Sequence, residues 1–217
     1  MQTESTQIDS PQGLPVTALF PGRFHVADRW SPVRSELEGA IRNAYGRHFG
    51  AEVRGFMPYL ASYASDLGQG VLGYRPASDG ALYLENYLDL PIESMLGQLT
   101  HRPVSRAAVV EVGQFAVDDR RVVGLLFMEL VPFLGEQGYE WICFTATHKI
   151  RRLLEKAGLH GLVIAAARED AVRGESDRWG SYYDNDPLVV VGRLDDPEGN
   201  WCSSIAHRGR VLAALGA

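Results

Sequence analysis

The spacing of hydrophobic positions changes period along the chain, and each change predicts an element. Residues 1–22 mix Gln, Thr, Ser, Pro and Gly without periodicity and read as an irregular lead-in. Val33, Leu37, Ile41 and Tyr45 then recur every fourth residue, which lays an apolar stripe along a helix. Ser31 suits its N-cap, Pro32 its first position, Phe49 its end and Gly50 its stop. Arg34, Arg42 and Arg47 are expected on the solvated side. The period then shortens: residues 60–65 and 71–75 predict two strands joined by the turn at 66–70. Residues 81–87 extend the sheet or begin a helix, Leu88-Asp89-Leu90-Pro91 breaks the pattern, and residues 92–99 predict one or two helical turns.

Longer runs fill the second half. Residues 107–117 predict a strand too long and apolar for a sheet edge, and Asp118 or Asp119 can cap a helix over 120–137 that stops at Gly138. A strand over 139–146 follows, then Thr147 as N-cap of a helix over 148–157 closed by Gly158. Residues 162–167 and 188–191 predict two further strands, and residues 207–215 a short terminal helix. Strand–helix–strand–helix–strand implies parallel neighbours joined by right-handed crossovers, so the class is α/β or α+β with a mixed sheet.

Composition narrows the function classes. The chain has 217 residues, 46% of them hydrophobic and 22% charged, with a net charge of −6. That is ordinary for a globular protein of one large domain or two small ones. The acidic balance argues against general nucleic-acid binding, which needs clustered basic charge. Only Lys149 and Lys156 of the 21 basic residues are lysines; the arginine excess suits bidentate phosphate and carboxylate binding. No basic region followed by an apolar stretch opens the sequence, so a reduced, cytoplasmic chain is expected and a Cys143–Cys202 disulfide is not. The longest apolar stretch, 122–134, is interrupted by Glu129 and Pro132 and is too short to span a bilayer. The histidines are dispersed without ligand spacing, so no metal is expected. No nucleophile elbow or Walker loop occurs, and Cys143 lies inside a predicted strand.

The segment 111–126 carries the most chemistry. A buried strand ends at Val117, Asp118-Asp119-Arg120 turns, and Arg121-Val122-Val123-Gly124 opens a helix whose N-terminus favours anions. Arg121-x-x-Gly124 resembles the acyl-CoA loop of GCN5-related N-acetyltransferases (GNAT), with Leu126 where that pattern has a small residue. Leu154-Glu155-Lys156-Ala157-Gly158-Leu159 resembles the end of the fourth helix in that fold, with Leu154 replacing the tyrosine that often protonates the leaving thiolate. Glu111 to Val117 is similar to the Glu-x-Ser-Arg-Phe-x-Val strand of acyl-homoserine-lactone synthases, with Gly113 and Gln114 replacing Ser-Arg.

Over about residues 41–193 the chain most resembles the thermostable hemolysin family. The stretches that carry this include Tyr45-Gly46-Arg47-His48-Phe49-Gly50-Ala51, Phe56-Met57-Pro58, Gly73-Tyr74-Arg75 and Leu84-Glu85-Asn86-Tyr87-Leu88. They continue with Pro91-Ile92-Glu93, Glu111-Val112-Gly113, Phe144-Thr145-Ala146-Thr147 and Trp179-Gly180-Ser181-Tyr182-Tyr183. These resemblances imply a GNAT-like domain over 23–194 with a tail over 195–217. Its mixed, mostly antiparallel sheet would be flanked by helices, with parallel strands splayed at the acyl-donor site.

The implied activity is direct transfer of an acyl group from a CoA or acyl-carrier-protein thioester to a small-molecule amine. Glu111 is the candidate base; a structural ion pair is its alternative. Glu85 is a second candidate acid/base, whereas Glu93 is expected outside the centre. Tyr182 and Tyr183, in a polar aromatic loop, are candidates to replace the missing tyrosine, with packing of that loop on the sheet as the alternative. Phe115, Ala116 and Val117 would orient the phosphopantetheine arm; Arg120, Arg121 and Gly124 would hold phosphates. Thr147 and Thr145 can bond pantetheine or an acyl carbonyl, and N-capping is the alternative for Thr147. Arg75, Tyr87 and Trp179 are candidate substrate-binding residues, Arg75 for a carboxylate or to neutralise Glu85 or Glu111. The Arg151-Arg152 pair can meet CoA phosphates or an acidic carrier protein, or be solvated surface. Two rival readings are a membrane-active hemolysin and a non-catalytic acyl- or pantetheine-binding module.

Overall fold

The computed structural model describes residues 23–172 and 179–196. The predicted lead-in, Cys202 and the predicted terminal helix lie outside them. A seven-stranded sheet organises the chain: β1 (Arg23–Ala27), β2 (Tyr59–Ser65), β3 (Gly68–Pro76), β4 (Val109–Val117), β5 (Trp141–Ala146), β6 (Leu162–Ala166) and β7 (Leu188–Arg193). Their order is β1-β2-β3-β4-β5-β7-β6. Only β4 and β5 pair in parallel. The expected parallel contact between β5 and β6 does not form, because β7 enters between them antiparallel to both. The sequence signal for β5 and β6 was a buried strand after each crossover, which does not say what lies between them. β1, five residues long, was missed; it completes the edge beside β2.

Four helices of the described residues flank the sheet: α1 (Arg34–Phe49), α2 (Ile92–Thr100), α3 (Arg120–Glu136) and α4 (His148–Lys156). On one face Val123, Leu126, Phe127, Leu130 and Leu134 of α3 and Leu154 of α4 bury against Leu72, Tyr74, Val110 and Val112. On the other, Leu37, Ile41 and Tyr45 of α1 cover Leu60, Val71 and Ala116, as the four-residue spacing required. Beside them Ile92 and Leu96 of α2 pack with Val109, Trp141, Val189 and Val191. Among the described residues no helix is long and apolar enough to cross a membrane.

The start of α1 corrects the expected cap. Val33, not Ser31, is the N-cap and makes no side-chain cap bond; the Ser31 carbonyl accepts the Arg34 N–H instead. Arg34 is not solvated either. Its guanidinium donates to the Met57 and Pro58 carbonyls at 2.6 and 2.7 Å and to Glu38 at 2.8 Å. The planar fork thus pins an irregular segment whose carbonyls no strand pairs.

β4 carries the feature that shapes the site. Gly73 faces Gly113, but Val71 faces Ala116, so two steps along β3 match three along β4. The extra residue is a bulge, and Gln114 in it adopts a positive φ of 55°. Its side-chain amide acts as a substitute strand, donating to the Gly55 carbonyl at 2.7 Å and accepting from Met57 N–H at 3.0 Å. Pairing of β4 with β5 stops at Val112 and Phe144, and beyond that point the two strands part.

The aromatic loop after residue 178 docks on the end of α1 through Ser181 N–H to the Phe49 carbonyl, 2.8 Å. Gly180 there has φ +54°, and a Cβ would sit 2.0 Å from the Phe49 oxygen. Gly180→Ala is therefore expected to lower stability by about 1–3 kcal/mol, read as an earlier denaturant midpoint at unchanged slope. An unchanged midpoint would show that this docking is dispensable.

Candidate active site

Beside the bulge, Gly73 and Gly113 leave the sheet face bare, and Met57 fills part of the gap: a Cβ on Gly73 would lie 2.8 Å from the Met57 Cβ. The remainder is a cavity of about 230 Å³. Arg75 of β3 and Glu111 of β4 are cross-strand partners and both line it. Tyr87, Trp179, Tyr182 and Tyr183 reach it from distant loops and Thr145 from β5, so seven residues singled out in the sequence converge here. Tyr45, Phe56, Met57, Tyr83 and Gln114 also line it and were missed as site residues. The usable signals were a polar Gln114 inside an apolar strand and the Phe56-Met57-Pro58 stretch; Tyr45 was indistinguishable from core.

Glu111 is 3% exposed. Its oxygens accept the N–H groups of Leu84 and Tyr83, each at 2.9 Å, so it terminates the short 3-10 segment Tyr83–Tyr87. Burial pushes its carboxyl up to about 7, against the lowering effect of those two amides and of Arg75. No arginine pairs with it among the described residues, so the ion-pair alternative does not form. The group is close to half-ionised at neutral pH, as a base in this range requires.

Glu85 differs in every respect. It is not among the cavity-lining residues. Its carboxylate accepts from Leu82 N–H, Ile92 N–H and both terminal nitrogens of Arg106, whose Nη1 also meets Glu93. Burial raises its pKa, but the Arg106 and backbone hydrogen bonds outweigh that and hold the carboxyl below its ordinary range. Glu85 and Glu93 thus join the 3-10 segment, α2 and Arg106 into one brace.

The aromatic wall is a hydroxyl network. Tyr87 and Tyr183 hydroxyls lie 2.7 Å apart, and Tyr182 stacks on Tyr45 with centroids 6.2 Å apart while its hydroxyl faces the Thr145 carbonyl at 3.5 Å. Burial pushes the Tyr182, Tyr83 and Tyr87 hydroxyls well above the ordinary phenol range. These phenols keep their protons at neutral pH. Tyr83 Oη, Thr145 Oγ1 and Trp179 Nε1 are buried without a good hydrogen-bond partner in the protein.

A second space of about 1300 Å³ adjoins the first, and Tyr45, Thr145 and Tyr182 line both. It runs along the parted strands past Phe115, Ala116 and Val117 to the N-termini of α3 and α4, where Arg120, Arg121 and Thr147 lie. Gly124 is not among its lining residues; its Cβ position faces Ala157, at 3.6 Å, in the contact between α3 and the end of α4. Asp119 caps α3 through Arg121 N–H and also binds the Arg121 guanidinium at 2.8 and 3.0 Å. Those bonds draw its carboxyl down to about 2. Asp118 accepts Gln69 N–H, so both aspartates are spent on the turn. Thr147 occupies the N-cap position of α4 without a side-chain cap bond. Arg151 is turned inward, donating to the carbonyls of Ala146 and Asp186 and to the Asp186 carboxylate. The groove's basic side chains are instead Arg120, Lys149, Arg152 and Lys156. Among the described residues no group of three or more His, Cys, Asp or Glu can hold a metal ion.

Comparison with known proteins places this geometry. The sequence profile of the thermostable hemolysin family matches residues 27–197. No curated protein matches the sequence significantly. The structure of the AHL synthase LasI is similar, with TM-score 0.50, 12% identity, and 80% of this chain and 91% of that one covered. TofI, solved in a ternary complex with an inhibitor and MTA, gives TM-score 0.52, 11% identity, and 85% and 96% coverage. A putative GNAT-family acetyltransferase from Desulfovibrio desulfuricans matches with TM-score 0.41, 14% identity, and 79% and 99% coverage. The mixed, mostly antiparallel sheet with flanking helices is the fold shared with LasI and TofI.

The brace has a pH signature. Because the folded Glu85 carboxyl titrates below its unfolded value of 4.5, its stabilisation is complete above that pH and drains as pH falls through the folded value. Glu85→Gln is expected to destabilise the protein at pH 7 by about 1–2 kcal/mol, after discounting for partial exposure. The difference from wild type should shrink below pH 4.5 in denaturant titrations. A pH-independent difference would remove the ionic account.

Proposed function

The chain belongs to the thermostable hemolysin family, and we propose that it is an acyltransferase that moves an acyl group from a CoA or carrier-protein thioester to an amine. The observation that carries this reading is the position of Glu111. A single buried carboxyl, held close to neutrality, stands in a small cavity whose wall is shared with a long groove between parted parallel strands. The groove has the length and open strand edge to take an extended pantetheine arm along Phe115, Ala116 and Val117. Arg120, Lys149, Arg152 and Lys156 stand where its phosphates would lie, while Arg121 is committed to Asp119. The fold shared with LasI, an AHL synthase, is consistent with this use.

In the proposed reaction the ammonium of the acceptor gives one proton to the Glu111 carboxylate. The resulting amine attacks the thioester carbonyl carbon, the C–N bond forms and the C–S bond breaks. The second nitrogen proton leaves with the departing thiolate, so no tyrosine has to supply one, and Tyr182 and Tyr183 act as walls and hydrogen-bond donors. Holding both reactants across one shared wall supplies much of the acceleration, because the thioester is already activated.

Thiol release from a panel of acyl-CoA and acyl-carrier thioesters with amines tests the reading. Glu111→Ala is expected to lower turnover by about 10²–10⁴-fold while circular dichroism stays native. For the wild type, kcat/KM should climb with pH through about 7, since Glu111 must be ionised to accept a proton. Lysis of liposomes or erythrocytes without turnover would favour a membrane-active protein; thioester binding without turnover or lysis would favour a binding module. Either result overturns the acyltransferase.

A further inference from the structure

Arg75 lines the cavity without an ion-pair partner among the described residues. It is half-buried at the end of β3, directly across from Glu111. Nη1 donates to the Ala81 carbonyl at 3.1 Å, and no other hydrogen bond or ion pair is made by its guanidinium among the described residues. Its charge lowers the Glu111 carboxyl across the strands without forming an ion pair, so its donors are not used up there. Glu85 is saturated by Arg106, and the Glu111 oxygens already hold two backbone N–H groups. A guanidinium at a cavity wall that keeps spare donors is a ready partner for an anion entering the cavity.

The surroundings define what that anion is attached to. Carboxylate and guanidinium from facing strands leave a negative and a positive group side by side on one wall. A molecule that presents an ammonium and a carboxylate on one carbon matches both at once, with the planar fork suited to the carboxylate. The rest of the lining is aromatic, including Tyr45, Phe56, Tyr83 and Trp179. Such rings suit an apolar or aromatic side chain and also attract the ammonium. Trp179 Nε1, Thr145 Oγ1 and Tyr83 Oη, all buried and without good partners, supply further donors around the bound group.

We propose that the acceptor bound in this cavity is a free α-amino acid with an apolar or aromatic side chain, its carboxylate on Arg75 and its ammonium at Glu111. The proposal rests on the acyltransferase reading for its chemical outcome, an N-acyl amino acid, formed by the bond exchange given above. Its binding geometry does not depend on that reading. Arg75 is then a substrate-binding residue that selects for a carboxylate.

Calorimetric titration of the full-length chain tests this without requiring turnover. The ligands are phenylalanine, tyrosine, leucine and methionine, each beside its amide and its decarboxylated amine. At least one amino acid is expected to bind ten or more times more tightly than its carboxyl-free counterparts. Arg75→Gln should bring that amino acid down to the level of its amine and leave the amine unchanged. Equal binding of amino acid and amine, a preference that survives Arg75→Gln, or no amino-acid binding at all would overturn the proposal. The ligand comparison in the wild type stands even where the variant misfolds. Arg75-dependent binding with no thiol release from any thioester would keep this assignment and remove acyl transfer. Thiol release that is indifferent to the carboxylate would do the reverse.

Discussion

The bulge at Gln114 is the constraint on which the rest of the molecule turns. A regular β4 would continue its parallel pairing with β5 past Val112 and Phe144, and the sheet would be closed where the groove now runs. One extra residue at positive φ rotates the chain out of that ladder. On the other side of the bulge the Gln114 amide supplies a donor and an acceptor toward Gly55 and Met57. That link, with Arg34 on the carbonyls of Met57 and Pro58, holds an irregular segment as one wall of the cavity. The cavity wall is thus hydrogen-bonded through side chains where no strand runs.

The two acidic candidates show how environment divides identical chemistry. Glu85 meets a guanidinium and two amides, which favour its charge and leave it no room to exchange a proton with a ligand. Glu111 meets two amides without a paired cation, and desolvation prevails. The arginines divide in the same way: Arg106, Arg121 and Arg151 are consumed by the fold, whereas Arg75 keeps donors toward the cavity. The brace around Glu85 also serves Glu111, since it positions the 3-10 segment whose N-terminal amides the Glu111 carboxylate caps.

Much of this was legible in the sequence, and the misses have physical reasons. Among the described residues periodicity located ten of the eleven strands and helices, failing at β1, whose Arg-Phe-His-Val-Ala mixes polar and apolar positions where the equally short β6 is an unbroken apolar run. Local readings failed where tertiary partners decided: Arg34 and Arg151 looked like solvated helix surface, yet both turn inward to backbone carbonyls. Arg121, read as a phosphate ligand, lines the groove and also binds Asp119, two residues away. The motif residue Gly124 serves helix packing rather than the groove. Tyr45 lies on the buried stripe of α1 and is also a cavity wall, and periodicity reports only the first role.

By itself the sequence determined which segments are strands and helices, that a carboxylate lies within a buried central strand, and that polar aromatics cluster after residue 178. These follow from local spacing and composition, because side-chain period and burial are properties of single segments. Only the tertiary structure decided that β7 separates β5 from β6, that the strands part after Val112, and that Arg75 faces Glu111 without pairing to it. Registers, bulges and competition among charges depend on residues far apart in the chain. The same carboxylate or guanidinium is spent or free according to which distant donors the fold brings within reach.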